Sequence, residues 1–382
     1  MSTSVLRSRP EVSATTPSIP ASWAPLGGAA WVGGCTIFVL LVTMPEIGLH
    51  ALWNVLVPAA PAILVFAPGL WRNVCPLGTT SRIAGRARAR FAGTKGTRLP
   101  RHAQEWMAVG AVVLFFALVP LRHALFDLDA RASAALLALA VLAAVALAWR
   151  FEAKSGWCNA LCPVHPVELL YGSDPLKTVT NTSCASCTRC VELCPDSVPG
   201  SYALAGRRRS PRRIAGILFA GALPGFVTAW FRVPDSRGFE SLGQLAGLYA
   251  IPLAGGIASL LLFVALRRGL GRSRERALTR FFALAAVTLY YAHRLPALFG
   301  AGVIPGDGML FDLTGRMPHE LFTALTLLPV VVFGTWYVAV NGQRRSWSRR
   351  PPMESMKHQE SMNHRRLFAG YETRELFGTE ES

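Results

Sequence analysis

The stretch Ala132-Ser-Ala-Ala-Leu-Leu-Ala-Leu-Ala-Val-Leu-Ala-Ala-Val-Ala-Leu-Ala-Trp-Arg150 carries one charge, on its last residue. At about 1.5 Å of rise per residue it makes a helix of about 28 Å, close to the hydrocarbon thickness of a bilayer. Seven further runs read the same way, at 27–45, 49–68, 104–122, 214–231, 242–266, 278–298 and 319–340. The sequence therefore predicts an all-α fold, a polytopic membrane helix bundle of about eight transmembrane helices. The run 49–68 contains Pro58 and Pro61, which predicts a kink whose freed carbonyls find partners on neighbouring helices.

Composition agrees. Of 382 residues, 52% are hydrophobic, too many for an ordinary soluble domain. The net charge of +17 would suit nucleic acid, but the basic residues fall in short clusters between the apolar runs. Anionic membrane lipid is the partner such clusters fit, and nucleic acid is excluded.

Their distribution orients the chain. With both termini in the cytoplasm, 33 of the 39 Lys and Arg lie inside; Arg122, Arg131, Arg232, Arg237, Arg294 and Arg316 lie outside. The predicted location is the cytoplasmic (inner) membrane, multi-pass. Residues 1–26 read as a mobile cytoplasmic tail without a cleavable leader. Residues 27–150 form a four-helix membrane half with a basic loop, and 151–213 a cytoplasmic iron–sulfur segment. Residues 214–340 form a second four-helix half, and 341–382 a cytoplasmic tail. The run Arg207-Arg208-Arg209-Ser210-Pro211-Arg212-Arg213 is expected to lie against headgroups, and Asp127 and Glu105 to be surface charges.

Within 151–213 stands Cys184-Ala-Ser-Cys187-Thr-Arg-Cys190-Val-Glu-Leu-Cys194-Pro195. Intervals of two, two and three residues followed by proline are the bacterial ferredoxin run. A tight loop turns three thiolates to one face of a cubane, and the fourth arrives from another direction. Structural zinc uses two separated pairs and fits less well. The expected cofactor is one 4Fe-4S cluster in a small ferredoxin-like segment, with a second possible. Cys158-Asn-Ala-Leu-Cys162-Pro163 repeats the end of such a run, and Cys75-Pro76 echoes it. Two assignments stay open. Either Cys194 closes the cluster and Cys158 with Cys162 form a dithiol, or Cys162 completes it and Cys194 and Cys158 face a second site. Seven cysteines on this side are one short of two cubanes. His165, beside Cys162, is a tuning group, a missing ligand or a loop residue. Cys35, inside the first run, reads as a small buried filler.

These residues resemble the membrane-bound ferredoxin family that includes NapH and the C-terminal half of NosR. Asn73-Val74-Cys75-Pro76-Leu77-Gly78 follows the second run and Cys158 to Pro163 the fourth, as the family's C-x3-C-P motifs do, and the ferredoxin segment comes next. The likeness covers roughly residues 27–200. Two features depart from it: Trp71 stands where the first motif has its leading cysteine, and only one complete ferredoxin run is present. The resemblance implies electron passage between the quinone pool and a redox partner protein or respiratory complex, as a quinol dehydrogenase or electron-transfer subunit. It also admits two alternatives, support for maturation of a metalloenzyme and a relay or anchor subunit of a larger complex.

Four histidines, His50, His123, His293 and His319, fall near the outer ends of runs. Paired across helices (His50 with His123, His293 with His319) they would ligate b-type haem; singly they would hydrogen-bond quinone, helped by Tyr290 or Tyr291. The plain alternative is an interfacial position with ring tips in water. No hydrolase triad, phosphate-binding glycine loop or acid–base carboxylate pair is present.

Overall fold

The structure, a computed structural model, describes residues 23–93, 96–97, 99–151, 154–172, 175–179, 203–204, 209–236 and 242–340. Among these the chain is all-helical and has no strand. Seven helices are long and apolar enough to cross a membrane. In the first half these are α1 (Trp23–Thr43), α2 (Pro45–Phe66), α5 (Arg101–Leu118, its apolar stretch continuing to Arg122) and α6 (Ala130–Arg150). In the second half they are α8 (Pro211–Trp230), α9 (Leu242–Leu270) and α11 (His319–Ala339). Their middles expose Val39, Val42, Leu139, Leu142, Leu261, Val331 and Val338, apolar surface suited to lipid and costly in water.

The eighth expected run differs from the other seven. Residues 278–298 belong to α10 (Glu275–Ala297), which is long enough but carries Glu275, Arg276, Arg280 and Arg294 and misses the apolarity of a span. It packs against α8 and α11, burying Phe282, Ala283, Ala286, Val287 and Tyr291. Its two ends flank the two ends of α8. Glu275 accepts both hydrogen bonds of Arg213 Nη2 (2.6 and 2.7 Å), and Arg294 lines a cavity with Trp230. Neighbouring helices cover one face of this amphipathic helix, while Phe281 on the other face stays exposed.

Short helices complete the thiol-bearing end: α3 (Pro68–Val74), α4 (Pro76–Phe91), a π-helical turn at Lys154–Leu161, and α7 (His165–Gly172). Local chemistry sets the boundaries. Proline opens α2, α3, α4 and α8, where its missing N–H costs nothing. Asp129 caps α6, accepting from the Arg131 and Ala132 amides, and Ser210 caps α8. The main core joins Phe219, Phe263, Phe282, Tyr291, Phe333 and Trp336 of the second half to Val65, Val112 and Leu170 of the first. Where α8 crosses α9, Gly225 and Gly255 meet so closely that a Cβ on either would strike the other's carbonyl.

The kink expected in α2 has a specific form. Residues His50–Leu56 are π-helical. Further along, the Tyr291 hydroxyl stands between the Pro58 carbonyl, to which it donates, and the Ala62 N–H, from which it accepts at 2.9 Å. A phenol from α10 thus interrupts the helical ladder and satisfies both groups.

Two polar residues differ from the sequence reading. Arg213 is buried, donating also to Leu204 O at 2.5 Å, so it does not lie on headgroups. Its partner Glu275 takes a second arginine, Arg267, at 2.6 Å. Asp127 is a bidentate acceptor for buried Arg122, not a surface charge (3.0 and 3.1 Å). Cys35, expected as buried filler, is exposed on α1.

Candidate functional site

Cys184, Cys187, Cys190 and Cys194 lie outside the described residues. The other three motif cysteines, Cys75, Cys158 and Cys162, are described, and none is in a disulfide. Cys75 is the hinge between α3 and α4, closing the first and capping the second. Its sulfur meets the Leu77 and Gly78 amides at the positive end of α4. Cys158 sits in the π-helical turn, and Cys162 follows it with its amide on Trp157 O at 3.1 Å, the i to i+5 bond of that turn.

Folding brings the three together. A Cβ on Gly78 would lie 3.9 Å from the sulfurs of both Cys75 and Cys158. Burial pushes the Cys162 thiol well above its ordinary range, and the charges of Cys158, Glu168 and Cys75 push the same way. Burial also raises Cys75, against the pull of the two amides and with the push of Glu168. The Cys75 and Cys162 sulfurs would therefore stay protonated unless a cation displaced the proton.

Beneath the thiols runs a buried polar lattice. Arg72 donates to Asn159 Oδ1 and to Glu168 Oε2, both at 2.6 Å. His165 Nδ1 stands 3.4 Å from the same carboxylate oxygen, and burial pushes the imidazole below its ordinary range. Arg82 donates to Thr79 Oγ1 within α4 at 2.7 Å and ties α4 to α3 through Asn73 O at 3.3 Å. Trp71 is buried against Cys75 and Val164, so indole fills the space that a leading cysteine would leave.

Among the described residues, no group of three or more His, Cys, Asp or Glu is arranged to hold a metal ion. The three thiols converge without closing a coordination shell. The donors are nonetheless all sulfur, with backbone amides at two of the sulfurs and arginines alongside. That chemistry suits a soft ion or an iron–sulfur cluster.

The histidines lie at the opposite, distal end. His50 is exposed, with Nδ1 on Asn54 at 2.8 Å. His123 is buried, Nδ1 at 2.6 Å from Asp235 Oδ1 and Nε2 at 3.1 Å from Trp230 O, its ring stacked on Trp230. Both ring nitrogens are therefore occupied by protein partners, and neither is open to iron. His293 packs its ring on Phe231, and His319 is exposed at the start of α11. Tyr291 is consumed by α2, while Tyr290 is partly buried against Phe231.

Sequence reasoning missed this distal lattice. Arg122, bidentate with Asp127, is sandwiched between Trp53 and Trp230, 4.5 and 5.1 Å from the ring centroids. Part of its signal was present, since Arg122 and Arg294 stand among the outside basic residues and Asp127 was expected as a surface charge; Asp235 and Asp307 drew no reading. The chain matches no protein-family model, no curated protein and no solved structure.

Proposed function

We propose that this chain is a membrane electron-transfer protein that passes single electrons between a cytoplasmic-side 4Fe-4S cluster, held by Cys184, Cys187, Cys190 and Cys194, and the quinone pool or a redox partner. The observation that carries this reading is the convergence of Cys75, Cys158 and Cys162 at one end of the bundle. Three thiols from two distant segments gather at the end from which the ferredoxin run departs. Such a cluster supplies a one-electron couple at low dielectric cost.

The chain's own groups have definable parts. The Leu77 and Gly78 amides offer hydrogen bonds to sulfur, Arg72 and Arg82 offset thiolate charge, and Arg72 fixes the π-helical turn to α3 through Asn159 and α7 to α3 through Glu168. The basic-residue asymmetry supports a cytoplasmic position for the thiol end. We count α10 as an eighth crossing, because its ends accompany both ends of α8, and this puts both termini in the cytoplasm. The thiol and distal ends are about 27 Å apart along the 18 residues of α5, too far for one electron step, so quinone is taken to exchange electrons near the thiol end. Haem is not part of this reading, since His123 is fully engaged.

One observation favours a second reading, maturation of a metalloenzyme: Trp71 occupies the leading-cysteine position and leaves an incomplete thiol set. The deciding experiment is an EPR and optical spectrum of anaerobically purified protein, with iron and acid-labile sulfide quantified and quinol added. About four irons per chain and a signal that quinol or a membrane donor changes support electron transfer. A cluster inert to every donor favours the maturation reading, and zinc or no metal removes both.

A further inference from the structure

The distal end contains a cavity between the end of α8, the end of α10 and the loop that follows it. At about 30 Å³ it has room for about two waters or one three-atom anion, and none for a haem or quinone ring. One wall is Arg294, only 3% exposed. Its Nη2 is spent on Asn54 Oδ1 (2.5 Å) and Trp53 O (3.1 Å), but its Nε has no partner. Nη1 stands where a Cβ on residue 308 would be, and that residue is Gly308, at φ +65°. Glycine is thus required twice here, by the turn and by the guanidinium.

The other charges around the cavity pair off, Arg122 with Asp127 and His123 with Asp235. Arg294 and Asp307 remain, and neither forms an ion pair with another described residue. Asp307 lines the same cavity and accepts the Asp235 N–H at 2.9 Å. A buried guanidinium with an idle donor calls for an acceptor, and the cavity beside it limits that acceptor to a few atoms.

We infer that this cavity binds a small monovalent anion, of halide or formate size, on Arg294, together with a proton on Asp307. Burial, reinforced by the Asp235 carboxylate, holds Asp307 above the usual carboxylate range. Arg122 is matched by Asp127 and His123 faces Asp235, so Arg294 and Asp307 are the two groups of this lattice without an ion-pair partner among the described residues. Protonating Asp307 then leaves the Arg294 guanidinium for the anion to match. As pH falls through the Asp307 pKa, anion affinity rises; above it, the carboxylate repels the anion.

The inference does not rest on the electron-transfer reading, and its test involves neither iron nor quinol. Detergent-solubilised full-length protein is titrated with chloride, bromide or formate against gluconate at fixed ionic strength, and thermal unfolding is followed at mildly acidic and mildly alkaline pH. The small anions are expected to raise the midpoint saturably and gluconate to leave it unmoved. Affinity should strengthen toward acid by up to about tenfold per pH unit, the limit for one linked proton. Asp307→Asn should hold the acid-side affinity at both pH values, and Arg294→Gln should abolish the effect. Because Arg294 also ties α10 to α2, a non-folding Arg294→Gln is backed by bromide anomalous scattering from crystals of the unaltered chain, with a peak expected beside Arg294. A midpoint shift shared by gluconate or kept in Arg294→Gln, or bromide found only elsewhere, overturns the site.

Discussion

The Tyr291 hydroxyl completes the broken ladder of α2 by donating to the Pro58 carbonyl, one helix away. Removing it with Tyr291→Phe leaves two buried backbone groups, the Pro58 C=O and the Ala62 N–H, without their bridge. The expected loss is about 1–3 kcal/mol, read as a lower thermal midpoint in detergent. Iron content should be unchanged, since the thiols lie at the other end. An unaltered midpoint would mean that α2 re-forms the direct Pro58–Ala62 bond without help.

Glu275 binds Arg213 and Arg267 at 2.6 Å each, with Arg213 and Glu275 both nearly inaccessible. Glu275→Ala strands a buried cation and is expected to cost roughly 3 kcal/mol or more. Arg267→Ala, with 26% of that side chain exposed, should cost far less. Unfolding in graded denaturant ranks the two, and equal losses would refute the assignment of the buried pair.

Gly78 separates the Cys75 and Cys158 sulfurs. A methyl there finds ordinary contact at 3.6–3.9 Å, so Gly78→Ala should leave folding and iron loading alone. Gly78→Leu drives a branched side chain between the sulfurs. If these thiols take part in holding iron, iron and acid-labile sulfide per chain should fall in Gly78→Leu while the protein still elutes as a folded species. Undiminished iron would confine the cluster to Cys184–Cys194.

Topology reporters fused after residue 305 and at the C-terminus test α10. An eighth crossing puts residue 305 outside and residue 382 inside, on the same side as residue 1. If α10 does not cross, the two termini report opposite sides.

The apolar runs made the membrane bundle legible, because hydrocarbon thickness translates directly into helix length. α10 was harder. Glu275 pairs with Arg213 and Arg267, and Arg294 donates to Asn54, all on other helices, and a linear hydropathy reading has no access to those partners. The π-helical turns at His50–Leu56 and Lys154–Leu161 carry no residue pattern that distinguishes i+5 from i+4 bonding. Cys75 could be linked to Cys158 and Cys162 by motif echo alone; their approach around Gly78 is a tertiary fact. Arg122 was counted among the outside basic residues, yet it is buried between two indoles.

That sandwich has a practical consequence. Trp53 comes from the first half of the bundle and Trp230 from the second, and one guanidinium rests on both faces. Any sliding of the halves must peel an indole off the cation, exchanging a polarised, dry contact for hydrocarbon or solvent. The emission colour of those two chromophores is therefore a built-in gauge of how the halves are seated, readable without attaching a label.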